Sequence, residues 1–178
     1  MTATGNPVKE LILNNLQSLQ TDGTVHPPLT ATGLGLITTT SAGHASDGDY
    51  YTNPKLITRI DASPLKITRF PAIVIEPTRN DYDGFGTQGT TTIAAQFRIN
   101  IRLILQTRTD AVALISRFLR DVHRAVLVDR QRGGNAISTR AVSDTVAFPT
   151  DDDEALTQAS LLIEVDYRTP WNNLNTPT

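Results

Sequence analysis

The residues able to do chemistry are few and scattered. The histidines are His26, His44 and His123. None stands at metal-ligand spacing from another, and no H-E-x-x-H pair occurs. His123 falls on the rim of a predicted helix, where a surface role is expected. The acidic run Asp151, Asp152, Asp153 and Glu154 offers the hard oxygen ligands that a divalent cation takes. Consecutive carboxylates in a turn point in different directions, and they lack the spaced ligands of a calcium loop. The run therefore reads as a solvated turn. Gly84-x-Gly86 and Gly133-Gly134 are not phosphate loops, because no G-x-x-x-x-G-K-[ST] and no G-x-G-x-x-G opening a helix is present. There is no G-x-S-x-G elbow for a serine nucleophile. With no cysteines, disulfides, thiolate metal sites and cysteine nucleophiles are excluded. Arg117, Arg120, Arg124, Arg130 and Arg132 form a basic set that could meet phosphate. Asp121 and Asp129 interrupt it, and the formal net charge is −2. A solvated or subunit-contacting face is the expectation. No catalytic residue, metal ligand or cofactor is predicted.

What such a chain does must then lie in its surfaces, and these are set by the elements that carry them. The clearest is Thr90 to Thr107. Ile93, Ala95, Phe97, Ile99, Ile101, Leu103 and Leu105 alternate with Thr92, Ala94, Gln96, Arg98, Asn100, Arg102 and Gln106, and Ile104 is the one strongly apolar exception. Period-two alternation over this length predicts a long strand with one face in a core and one face wet or at an interface. Ala155 to Thr169 repeats the pattern. Two such strands imply an antiparallel sheet buried on one side. The other face offers Arg98 and Arg102 from one strand and Glu164, Asp166 and Arg168 from the other, and if the two are neighbours cross-strand charge pairs follow.

The remaining chain supplies cover and connections. Asn6-Pro7 opens a helix with Val8, Leu11, Ile12, Leu16 and Leu19 on one side, stopped by Asp22-Gly23. Thr24 to Lys55 is rich in Thr, Ser, Gly and Pro, and only Leu34 to Ile37 looks able to pair. It is either an arm that orders against a neighbouring subunit or a mobile insertion. Phe70 to Pro77 reads as a strand apolar on both faces, hence central or covered, with prolines marking its ends. Arg79 to Gly89 reads as a loop joining it to the long strand, and it holds Asp81, Tyr82 and Phe85. Thr109 or Asp110 caps a second helix running to about Asp129. Leu114, Ile115, Phe118, Leu119, Val122 and Val126 face inward, and Arg117, Arg120, Asp121 and Arg124 face outward. Ala136 to Phe148 is a poorer strand, with a bulge expected near Ala141-Val142. The tail 170–178 is polar apart from Trp171.

The predicted fold is α+β: an antiparallel sheet of about four long strands, with two helices packed on one face and the 24–55 insertion as a long loop or arm. The 178 residues suffice for one such domain. No run approaches the roughly 20 apolar residues of a membrane helix. The N-terminus lacks a secretory signal pattern. A cytoplasmic protein, or one carried in a particle, is expected.

This layout resembles the tail terminator proteins of long-tailed bacteriophages, also called tail completion or minor tail proteins. The resemblance covers about Asn6 to Thr169 without the insertion. It rests on the capped first helix, the strand Phe70-Pro-Ala-Ile-Val-Ile-Glu76, and the long strand Ile93 to Gln106. It rests also on the helix entered at Asp110-Ala111 with Phe118 and Asp121-Val122, the Ser138-Thr-Arg140 strand and the closing strand from Ala155 to Arg168.

It implies a structural virion protein of the tail and neck, assembled in the host cytoplasm. Such a protein forms a homo-hexameric ring on the head-proximal end of the tail tube. The ring ends tube polymerisation and presents a docking surface to the head connector or adaptor protein. Tail tube protein, connector and sheath are the implied partners, DNA only crosses the channel, and no membrane is involved. Asp81, Tyr82 and Phe85, with Arg98 and Arg102, are the predicted contact residues, since exposed aromatics anchor interfaces. Competing readings are another neck component such as a stopper, a tail-tube-like subunit, a metal-dependent hydrolase using Asp151 to Glu154, and a nucleic-acid module using the arginine set.

Overall fold

The computed structural model describes residues 7–17, 54–60, 67–82, 92–107, 109–147 and 156–170. In chain order these form helix α1 (Pro7–Gln17), strands β1 (Leu56–Arg59), β2 (Ala72–Tyr82) and β3 (Thr92–Gln106), helix α2 (Ala111–Val128), and strands β4 (Ser138–Ala147) and β5 (Leu156–Pro170). One sheet runs β1-β2-β3-β5-β4. The two long alternating strands are neighbours at its centre, antiparallel and paired from Thr92–Pro170 to Gln106–Leu156. The expected α+β fold is present, its four long strands being β2 to β5. The sheet is mixed rather than wholly antiparallel, because the short β1 joins β2 in parallel. The predicted cap Asn6, stop Asp22-Gly23, the arm 24–55 apart from its last two residues, Phe85, acidic run 151–154 and Trp171 lie outside the described residues.

Both helices cover one face. Ile12, Leu13 and Leu16 of α1 and Ile115, Phe118, Leu119, Val122, Ala125 and Val126 of α2 are buried in one cluster. They meet Ile73, Ile75, Phe97, Ile99, Ile101 and Leu103, together with Leu161, Ile163 and Val165. The alternate residues of β3 therefore point at helices, as the period requires. Arg59 of β1 pairs with Glu10 of α1 at 2.8 Å, and Lys9 lies 5.0 Å from the Phe97 ring centroid. Ile104, the exception to the alternation, belongs to a small second cluster on the opposite face. There it packs with Ala72 and Val74 under Ile67 and Phe70.

Several local expectations need correction. First, β2 does not stop at Pro77 but continues to Tyr82. Beyond Ile75, where β1 ends, no described strand pairs with the outer edge of β2. A proline without an N–H is tolerated there, beside the register shift between Pro77 and Arg79. Asp81 and Tyr82 thus sit on a strand, not in a loop. Second, Leu114 is exposed while Asp121, expected outside, is fully buried on α2. Asp110 occupies the cap position of α2, but its side chain makes no capping bond and its φ is 54°. The expected bulge in β4 falls between Ala141 and Ser143.

Candidate functional site

Among the described residues no helix covers the opposite face of the sheet, and over most of its length this bare face presents polar and charged side chains. Its side chains form rows across the strands. Asp81, Gln96, Asp166 and Ser138 stand side by side on β2, β3, β5 and β4. The next row is Arg79, Arg98, Glu164 and Arg140, then Glu76, Asn100, Leu162 and Ser143, then Val74, Arg102, Ser160 and Thr145. The rows alternate acidic, basic, acidic, basic. Strand geometry produces this, because residues two apart share a face and lie about 7 Å apart along the strand.

Contacts within and between the rows neutralise the face. Arg98 Nε donates to Glu164 Oε2 at 2.8 Å, and Arg140 Nη2 donates to Oε1 at 2.7 Å. Glu164 is itself buried. Burial pushes its carboxyl pKa up, but the bonds and charges of Arg140 and Arg98 outweigh this and hold it below the usual value. Arg102 Nη2 reaches Glu76 Oε1 at 2.6 Å, while Asn100 donates to the other Glu76 oxygen at 3.0 Å. Arg79 Nε pairs with Asp81 at 2.6 Å. Asp166 accepts from Gln96 Nε2 at 3.1 Å and from Ser138 Oγ at 2.9 Å. The arginines 79, 98, 102, 140 and 168 thus stand against the carboxylates of residues 76, 81, 164 and 166, leaving one positive charge in excess.

Two hollows border this face. Glu76 of β2 and Thr145 of β4, three strands apart, line one hollow of about 230 Å³. A second hollow of about 410 Å³ lies at the other end of the strands, where Tyr82 and Ile137 of the helix-side rows come together with Asp81, Gln96 and Asp166 at the edge of the bare face. Tyr167 closes it from below. Its hydroxyl donates to Asn80 Oδ1 at 2.9 Å. Burial raises its pKa, the Asn80 bond opposes this, and Tyr82 adds to the rise.

The predicted contact residues are thereby placed. Arg98 and Arg102 lie on the bare face, and Arg98 meets Glu164 as expected. Arg102 turns to Glu76 on β2 instead of to β5. Asp81 and Tyr82 share the large hollow, with Tyr82 40% exposed. Among the described residues, no group of three or more His, Cys, Asp or Glu could hold a metal ion. No described helix is long and apolar enough to cross a membrane.

Arg132 was misread as part of a surface basic set. It is fully buried, its Nε bonds Thr139 Oγ1 at 3.1 Å, and its Nη2 donates to the Val126 carbonyl. It caps the last turn of α2, where carbonyls lack intrahelical donors. Burial pushes its pKa down to about 10, opposed by the charge of Asp129, so it stays cationic at neutral pH. The turn is held by Asp129, which accepts from the Gly133 N–H at 2.7 Å and from Asn15 of α1 at 3.3 Å. Arg132, Gly133 and Gly134 all take positive φ. The available signal was an arginine next to Gly-Gly just past a helix end.

No protein-family model matches this chain, and no curated protein matches it.

Proposed function

We propose that this chain is a structural subunit of a long-tailed phage particle. In this reading six copies close into a ring on the head-proximal end of the tail tube, end its polymerisation and receive the head connector. The reading starts from the sequence resemblance. The observation that supports it most is the sheet face that no described helix covers, long and charged, yet nearly neutralised within itself. Net fields extend only about a Debye length, roughly 8 Å at physiological salt. A surface whose charges cancel in adjacent rows offers a passing polyanion little net attraction. That suits a wall that DNA crosses without sticking, and it also suits a surface that packs against a neighbour through directed bonds.

A head-to-tail interface whose rotation closes yields a ring. The native mass of the purified chain over a range of concentrations tests this. The expected species is six times the 19.4 kDa subunit. A subunit-sized mass at every concentration, both alone and with tail tubes added, overturns it.

A further inference from the structure

We propose that the outer edge of β4 pairs with the outer edge of β2 in a second copy of this chain, Arg140 standing opposite the neighbour's Asp81. The inference rests on the ring reading and deepens it by naming the interface.

Both edges are open among the described residues. β4 ends the sheet on one side, and no described strand lies beyond it. On the other side β1 occupies β2 only up to Ile75, so Glu76 to Tyr82 pair with β3 alone. An open edge is a row of N–H and C=O groups able to take another strand. Such edges are commonly blunted by lysine, proline or a short length. β4 has ten residues, with neither lysine nor proline. On β2, Pro77 removes at most one bond.

Direction and height agree. β2, β3, β5 and β4 each reverse the one before, so β4 runs opposite to β2. A copy rotated about an axis along the strands therefore presents its β2 antiparallel to β4. The pairing through β3 and β5 sets Ser138 level with Asp81 and Arg140 level with Arg79. At equal height two arginines would meet, and β4 past Ser143 would run into β1. A stagger of two residues removes both faults. Arg140 then faces Asp81, Thr145 faces Glu76, and Thr139 faces Tyr82. Opposite charges directly across a ladder attract. Each strand carries one irregularity, at Ala141/Ser143 and at Pro77/Arg79, so the two faces stay in step. On the helix side Ile137, 53% exposed, comes diagonal to Tyr82, 40% exposed. An aromatic and a β-branched residue so placed pack together.

The chain has no cysteine, which makes the test clean. Ser143→Cys and Arg79→Cys, both at exposed positions, are made in separate preparations. They are mixed and oxidised, alone and with tail tubes added. The expected product is the mixed disulfide dimer, well above either like-with-like dimer. Arg140→Asp and Asp81→Arg should each weaken association about ten-fold or more, and the double variant should restore it. The disulfide test does not depend on how well the charge variants fold. A six-subunit mass without the mixed bond removes this interface and leaves the ring. The mixed bond in an assembly of another size keeps the interface and removes the six-fold ring. Like-with-like bonds alone, or no bond under either condition, overturns the proposal.

Discussion

The two faces of the sheet are built from the same strands by opposite means. On β3, Phe97, Ile99 and Ile101 are buried under helices, while the intervening Arg98, Asn100 and Arg102 are held by cross-strand bonds at the surface. The covered face derives its stability from apolar area removed from water, about 25 cal/mol per Å². The bare face contributes little of that kind. Partly exposed ion pairs are worth about 0–1 kcal/mol each, so nine charges arranged there are a poor investment in stability alone. The difference teaches where function is to be sought: on the face whose order exceeds what folding requires.

Four substitutions sharpen that contrast, from the largest effect to the smallest. Phe118→Ala removes a fully buried ring from between α2 and the sheet. It should cost about 3–5 kcal/mol in denaturant unfolding. Arg132→Met keeps the volume but removes the donors to the Val126 carbonyl and Thr139. It should cost about 2–3 kcal/mol, the range for buried acceptors left without partners. Were it neutral, the buried arginine would not be the cap of α2.

Glu164→Gln should cost about 1 kcal/mol at neutral pH. It should also flatten part of the acid limb of stability. The folded carboxyl titrates below its ordinary value. Its contribution is complete above the unfolded pKa and is lost as pH falls through the folded one. Melting temperature against pH, wild type minus variant, should therefore shrink only on the acid side. An unchanged difference down to low pH would contradict the clamp by Arg98 and Arg140. Arg102→Ala should cost less than about 1 kcal/mol, because its pair with Glu76 is partly exposed. A large loss there would erase the distinction between the two faces.

Much of this was legible in the sequence, and the exceptions have physical causes. Strict alternation located β3 and β5 to within a few residues, and their charges anticipated the Arg98–Glu164 pair. The bulge in β4 showed in its broken period. The extent of β2 was hidden because a proline usually ends a strand. Whether Pro77 does so depends on how far β1 reaches, which is a tertiary fact. Asp121 and Arg132 were hidden because charge in a sequence reads as exposure, whereas a helix end can draw a guanidinium inward. The rows of the bare face depend on register across four strands, which no single segment records.

The most direct test of the assembly reading is elongation of tail tubes in the presence of this chain, followed by electron microscopy. The account predicts arrested growth, with one six-membered ring at a single end of each tube. Tubes that keep growing at both ends and carry no ring would contradict it.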